Sequence, residues 1–408
     1  LYLLKALVPH HDITLLTPVF SAEEDAEASS LRDRLPGLQV VSVRLSKLAG
    51  IRQSLLALPR RLPMQARYCY NRELVETACR LVKSGQFDLV HIEHFRAAYL
   101  GQELASLGVP IVYDAVDSIS LLVSRTLRHG PLKNRLVSRV ELSATRRYEA
   151  GLLSGRLFRG VCATSQEDAG ALEELAGLKP GTVRVIPNGV DLNIFSPPAP
   201  AEKREPDTVV FSGKMSYHAN AAAAQYLVKE IWPRVRMLRH NARLWIVGSR
   251  PPADLQALSG QHGIEVTGYV PEVSAYLRRA SVAVAPMPYS VGIQNKVLEA
   301  MACATPVVAT ASINRAIAAR TGQEICLVEP GRADEFARQV VQLLQEPALA
   351  VQLGEQGRDY VACHHNWLEA AGQIEALWNE ATNFPGEIRN GSDLRQQSNR
   401  DITSVSRG

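Results

Sequence analysis

Cysteine is scarce and scattered. The 408 residues hold six (Cys69, Cys79, Cys162, Cys303, Cys326 and Cys363), and none forms a C-x-x-C pair. That spacing argues against a disulfide framework and a zinc ribbon, and each thiol reads as a small buried residue in a reducing compartment. Long apolar runs are also missing: none reaches the ~18 residues of a membrane span, and the first residues do not read as a signal peptide. Charge of one sign is missing as well. Lys and Arg number 45 against 41 Asp and Glu, a formal net charge of +4, which is mild for a nucleic-acid binder and comes without aromatic-basic interleaving. What remains is an ordinary globular balance, 46% hydrophobic and 21% charged. The length allows about two to three domains with sizeable cores.

Strand patterns alternate with helical ones almost throughout, the signature of parallel sheets built from βαβ units. Buried strands are predicted at 13–17, 40–44, 89–93, 111–114 and 160–164, then at 183–186, 208–212, 243–247, 264–267, 281–285, 306–309 and 325–328. Helices are predicted at 72–84, 99–107, 132–154, 221–238, 252–260, 273–279, 295–302 and 333–344. The turn Pro187-Asn188-Gly189-Val190-Asp191 and the Pro-rich stretch 196–201 mark a joint between two α/β domains. Residues 1–7 look like the end of an amphipathic helix running straight into a strand. An α/β domain opens with a strand, so a first strand and its loop are expected to be missing ahead of Leu1. The polar residues after about 383 read as a disordered tail.

The strongest local signal is the strand, loop, helix and strand over 281–310. Gly292 falls where the loop turns into the helix and lets backbone approach a ligand closely. The helical N–H groups around Ile293, Gln294 and Asn295 have no partners within the helix, and with the helix dipole they form an anion site. Lys296 is an odd residue for a helix start on dipole grounds, and a bound phosphate explains it. Glu299, about one turn on, can accept hydrogen bonds from vicinal ribose hydroxyls. The alternative is an ordinary loop with a solvated Lys and Glu. A second strand ends in Gly213-Lys214, where the lysine either reaches a diphosphate or faces solvent. A third ends in Gly268-Tyr269-Val270-Pro271, where a base could stack.

Together these pieces resemble the family 4 retaining glycosyltransferases of the GT-B fold. The family's motifs appear as Gly213-Lys214, as Gly268-Tyr269-Val270, and as Leu298-Glu299-Ala-Met-Ala-Cys-Ala-Thr-Pro-Val-Val-Ala309. The strand and turn Arg184-Val-Ile-Pro-Asn-Gly-Val-Asp191, the preceding strand end Ala163-Thr-Ser165, and His364-His365-Asn366-Trp367 match as well. The phrases Gly-Lys-Met-Ser-Tyr-His and Gly-Ile-Gln-Asn-Lys-Val-Leu-Glu-Ala are similar to sugar transferases of bacterial exopolysaccharide clusters. The resemblance implies an α/β chain of two Rossmann-like parallel-sheet domains facing a cleft. An acceptor-side domain covers 1–186 and a nucleotide-sugar domain 187–363. A helix over 364–382 crosses back to the first domain, and the tail is 383–408. It further implies that Gly292 to Asn295 hold a donor diphosphate, that Lys214 and Lys296 neutralise it, that Glu299 holds the ribose, and that the base packs near Tyr269 and Val270. The leaving group is a nucleoside diphosphate, whose developing charge needs donors placed in advance. No Asp-x-Asp pair is present, so no metal and no cofactor is expected beyond the nucleotide-diphospho-sugar. Two departures stand out. Val291 replaces an acid that usually contacts the transferred sugar, and Ala219 replaces a second basic residue, for which Lys296 substitutes.

Acceptor groups are expected at strand ends of the first domain. Candidates are His91, Glu93, His94 and Arg96 after one strand, and Asp114 and Asp117 after the next. His94 and Glu93 are the catalytic choices there, able to bind sugar hydroxyls or assist proton removal; His91 reads as a core histidine. Residues 44–72 hold seven basic residues and no acidic one, mixed with leucines. The stretch reads either as a membrane-surface contact, suited to a lipid-linked acceptor, or as a charged excursion over the cleft. The expected setting is cytoplasmic, with that stretch as a route to the inner face of the membrane. The partners are a nucleotide-sugar donor and a glycan or lipid-linked acceptor, with no nucleic acid. A sugar-nucleotide epimerase or an inactive, truncated nucleotide-binding relative is the alternative.

Overall fold

The computed structural model describes residues 1–57, 59–85, 87–129, 132–155, 157–287 and 293–383. The loop residues Val291 and Gly292, and the tail beyond 383, lie outside the described residues. The chain divides into two compact units, Leu1–Ile186 with the segment from Ala371 onward, and Pro187–Ala370.

The first unit holds strands β1 (Thr14–Val19), β2 (Gln39–Arg44), β3 (Val90–Glu93), β4 (Ile111–Asp114), β5 (Gly160–Ala163) and β6 (Arg184–Val185). β1 and β2 form a parallel pair; the other four form a parallel sheet in the order β3-β4-β5-β6. Gly160 has the Leu377 side chain over it, where a Cβ would lie 2.6 Å from Leu377 Cδ1. Stretch 44–72, whose apolar and basic residues left its form open, folds into helices Lys47–Ala57 and Met64–Tyr68.

The second unit is one doubly wound sheet. Its strands are β7 (Thr208–Ser212), β8 (Arg243–Val247), β9 (Ile264–Gly268), β10 (Val282–Ala285), β11 (Val307–Thr310) and β12 (Cys326–Val328). All pairs are parallel, in the order β12-β11-β10-β7-β8-β9. Every residue of β7, β10 and β11 is buried. Helices cover both faces of such a sheet, so its strands carry uninterrupted apolar runs rather than alternation. The chain winds outward in opposite directions from β7 and β10, and the loops after these two strands separate there. Ligands bind at such switch points, outside the carboxyl ends of the strands.

Two further details depart from a plain helix-and-strand reading of this unit. The single helix read at 221–238 is instead His218–Tyr226, a wide turn over Leu227–Ile231, and Trp232–Leu238. Pro233 has no N–H to give and its ring crowds the preceding turn, which accounts for the widening. At the opposite end of the sheet, half-buried Arg204 donates to the carbonyls of Leu277, Arg278, Ala280, Cys303 and Ala304 and to Thr305 Oγ1, at 2.8–3.3 Å. It thereby satisfies carbonyls at the end of helix Val273–Arg279 and just past the end of helix Asn295–Ala302, groups that helix ends leave without partners, and ties the two helix ends together. The thiols are free; Cys69, Cys162 and Cys303 are buried as read, but Cys363 is exposed and Cys79 and Cys326 are half-buried.

Candidate functional site

Three neighbouring strands of the second unit end in glycine, and each needs it. Gly213, Gly248 and Gly268 have φ of +153°, +148° and +71°, conformations that side chains disfavour. The Gly213 amide donates to the Val247 carbonyl at 2.9 Å, and the Gly248 amide donates to the Gly268 carbonyl at 3.1 Å. A Cβ on Gly248 would lie 1.9 Å from the Gly213 carbonyl oxygen. A Cβ on Gly213 would meet Asn220 Nδ2 at 2.9 Å and Lys296 Cε at 3.2 Å. The strand ends thus make a rim of bare backbone with polar side chains directly behind it.

Helix Asn295–Ala302 faces this rim. Val297, Leu298 and Met301 are buried in the core of the unit, which leaves Lys296 and Glu299 at the rim end. The helix begins without a side-chain cap, and its first turn has no acidic residue. Among the described residues no side chain caps its first N–H groups, which carry the positive end of the dipole. Lys296 curls back over this start. Its Nζ donates to Asn220 Oδ1 at 2.6 Å and to Gln294 Oε1 at 3.0 Å. It also lies 3.8 Å from Met287 Sδ and 5.9 Å from the centre of the Phe211 ring. Asn220 in turn donates to the Lys214 carbonyl at 3.1 Å, so one amide ties together the loops that follow β7 and β10.

The electrostatics of this cluster are unusual. Among the described residues Lys296 forms no ion pair. Burial pushes its pKa down to about 8, against a smaller opposing pull from Glu299. Burial likewise raises the Glu299 carboxyl to about 6, and Lys296 only partly offsets this. Among the described residues the oxygen contacts of this desolvated ammonium are neutral amides, and the nearby Glu299 carboxyl only partly offsets its desolvation. Lys214 is exposed beside the rim. Tyr269 is 77% exposed, while Val270 packs against the core of the unit.

The structure therefore brings together Gly213, Lys214, Ile293, Gln294, Asn295, Lys296 and Glu299, with Tyr269 and Val270 at the end of the outer strand. Asn220 was not singled out from sequence, although it stands out as the amide in an alanine run, and neither was Met287. Ala219, where a second basic residue was looked for, is buried.

Glu93 and His94 belong to the first unit. Glu93 ends β3 exposed. His94 follows with φ of +73°; its amide donates to the Asp114 carbonyl at 2.7 Å. Its Nδ1 accepts the Arg96 amide at 3.1 Å, which leaves the proton on Nε2. Burial, helped by the Arg96 charge, lowers its pKa and so favours the neutral ring that this hydrogen bond requires. Val116, at the end of the neighbouring β4, has φ of +63°, a strained conformation for a β-branched residue. The Val116 amide donates to Asp114 Oδ1 at 2.8 Å, and burial pushes the carboxyls of Asp114 and Asp117 up to about 7 and about 6. His91 is a core histidine: its Nδ1 accepts from Trp378 Nε1 at 2.9 Å, and burial lowers its pKa to about 4. Among the described residues no group of three or more His, Cys, Asp or Glu is placed to hold a metal ion.

Comparison with known proteins agrees with this architecture. The profile described as Glycosyltransferase Family 4 matches residues 1–194, and that described as Glycosyl transferases group 1 matches residues 206–346. A D-inositol 3-phosphate glycosyltransferase of Pseudarthrobacter chlorophenolicus is 29% identical over 306 residues, 69% of this chain and 68% of that protein. Among solved structures, sucrose-phosphate synthase from Thermosynechococcus elongatus superposes with a TM-score of 0.64 at 18% identity, over 91% of this chain and 99% of that one. Anabaena HepE in complex with UDP and glucose gives a TM-score of 0.63 at 16% identity, over 93% and 95% of the two chains. These likenesses show the GT-B fold, and the two profiles tile most of the chain: it belongs to the family 4 glycosyltransferases.

Proposed function

We propose that this chain transfers a hexosyl group from a nucleoside diphosphate sugar to a hydroxyl of a glycan or lipid-linked acceptor in polysaccharide assembly, without a metal and with retention at the sugar carbon. The observation that carries this reading is Lys296, a half-buried, desolvated ammonium with no ion-pair partner among the described residues, placed at a helix start beside a rim of bare backbone. A diphosphate supplies the missing anion. In the transfer, the bond from the anomeric carbon to the β-phosphate oxygen breaks and the bond to the acceptor oxygen forms. The electron pair of the broken bond stays on the diphosphate, and the acceptor proton leaves with it. Lys296, Lys214 and the amides of Ile293 to Asn295 stabilise that charge as it develops.

Glu299 receives the ribose hydroxyls, and the exposed ring of Tyr269 with Val270 receives the base. Glu93 and His94 take the acceptor, with His94 Nε2–H donating to a sugar oxygen and Glu93 accepting from a hydroxyl. The complex of HepE with UDP and glucose supports a donor of this class. The test is release of nucleoside diphosphate from UDP- and GDP-hexoses, with and without added glycan or polyprenyl phosphate acceptors. Lys296→Ala and Glu299→Ala should each lower turnover by a hundredfold or so. Turnover equal to wild type in both variants contradicts the assignment.

A further inference from the structure

Two helices of the first unit are built inside out. In Lys47–Ala57 the inward stripe is Gly50, Ser54 and Ala57, spaced four and three residues apart. Gly50 lies against Tyr68, where a Cβ would meet ring and carbonyl at 2.9 Å, and Ser54 Oγ donates to the Met64 carbonyl at 3.1 Å. The outward face is Leu48, Ile51, Leu55 and Leu56, with Leu48 79% and Leu55 60% exposed. The first half of helix Leu132–Ser154 repeats the inversion. Its buried stripe is Ser138, Glu141 and Thr145, whereas Leu136, Val137 and Val140 face out, Leu136 73% and Val140 58% exposed. The Glu141 carboxylate accepts the Met64 amide at 3.0 and 3.1 Å. Both inward faces therefore grip the backbone of Met64, one at its carbonyl and the other at its amide, while their apolar residues are exposed. Of the fifteen exposed large apolar residues among the described ones, these two helices hold seven. That concentration is more than the scattered apolar exposure normal on a protein surface.

The charge around these faces says what covers them. Residues 44–72 carry seven basic side chains and no acidic one, in a chain whose charges otherwise nearly balance. Arg44, Lys47, Arg52, Arg60 and Arg61 are exposed, as are Arg135 and Arg139 on the second helix. Aliphatic side chains ringed by arginine and lysine match the boundary between acyl chains and anionic headgroups. A second copy of the same face would bring like charges together, which disfavours self-association through it. Among the described residues no helix is long and apolar enough to cross a membrane, so contact through these helices would be at the surface.

We propose that helix Lys47–Ala57 and the first half of helix Leu132–Ser154 together dock this unit on an anionic lipid bilayer. The test is cosedimentation of the full chain with vesicles of phosphatidylcholine alone and of phosphatidylcholine with phosphatidylglycerol in equal parts. The wild type should pellet with the anionic vesicles, stay in solution with the neutral ones, and release as salt is raised. Ile51→Asp with Leu55→Asp should weaken partitioning about tenfold or more, and Leu136→Asp with Val140→Asp should do the same from the other helix. These side chains are exposed, so neither double variant should change the melting temperature. If one misfolds, the other still decides. Wild type that ignores anionic vesicles overturns the proposal, as does unchanged pelleting of the folded variants. A wild-type dimer that light scattering shows dissociating in these variants overturns it too, in favour of a second copy.

Discussion

Replacing Lys296 by Met should stabilise the empty protein and abolish its response to nucleoside diphosphates. The ammonium is confined by Asn220, Gln294, Met287 and the Phe211 ring, and burial takes its pKa from 10.5 to about 8. At neutral pH it is still charged. Holding that charge there costs on the order of 3 kcal/mol, at about 1.4 kcal/mol for each pH unit between the ordinary and the buried lysine. Methionine has similar reach and no charge, and its sulfur suits contact with Met287 and Phe211. The change forfeits the hydrogen bonds to Asn220 and Gln294, worth about 1 kcal/mol each. The balance is a gain on the order of 1 kcal/mol, or a melting temperature higher by about 2–4 °C for a domain of this size. Scanning fluorimetry with and without UDP or GDP reads both effects. Ligand at about a hundred times its Kd adds about 2.7 kcal/mol to the wild type, and its midpoint rises. The variant should start higher and stay there. A variant that melts below wild type and still rises with nucleoside diphosphate would refute the reasoning.

Three further outcomes follow from the same geometry. Gly248→Ala forces a Cβ to 1.9 Å from the Gly213 carbonyl at φ of +148°; urea unfolding should show a loss of about 3 kcal/mol or no soluble protein, whereas an unchanged midpoint would mean the rim is not as tight as described. Arg204→Ala removes a donor from five carbonyls and from the Thr305 hydroxyl, of which Thr305 Oγ1 and the Leu277 carbonyl keep their own 2.7 Å bond, and should cost about 3 kcal/mol by the same measurement. Affinity for nucleoside diphosphate should peak between about pH 6 and 8. Above the Lys296 pKa near 8 the empty lysine has lost its proton and binding must restore it, so Kd rises about tenfold per pH unit. Below the Glu299 pKa near 6 the carboxyl is protonated and accepts the ribose hydroxyls less well. Calorimetry across that range would show a flat profile if neither group meets the ligand.

The strands were legible because buried parallel strands carry continuous apolar runs; Thr208–Ser212, Arg243–Val247 and Ile111–Asp114 fall where Val, Ile, Phe and Trp cluster. Helix Asn295–Ala302, Gly213 and Gly268 were legible for local reasons too; Gly248 was not singled out, because its need for glycine comes from the Gly213 carbonyl on the neighbouring strand. Helix Ala22–Arg34 was not, because its apolar residues are three alanines and one leucine and only Ala28 is buried; its start rests on Ser21, whose side chain accepts the Glu24 amide. Helix Lys47–Ala57 hid for the opposite reason. Its leucines show a helical spacing but face away from the protein, so the pattern pointed to a surface rather than to a core. The state of Lys296 depends on Asn220, 76 positions away, and the anchoring by Arg204 depends on carbonyls 73 to 100 positions away. Such contacts are set by the winding of the sheet and leave no local mark in sequence.

The central claim is that the rim and helix start receive a diphosphate, and titration calorimetry of UDP against UMP, on wild type and Lys296→Met, tests it most directly. The β-phosphate is the group that Lys296 and the helix start would hold. The account predicts that UDP binds wild type about tenfold or more tighter than UMP, and that Lys296→Met removes that difference while leaving the weaker UMP binding in place. If GDP and GMP show the stronger binding, the same comparison applies to them. Equal affinity for mono- and diphosphate in the wild type, or a preference for the diphosphate that survives Lys296→Met, would contradict it.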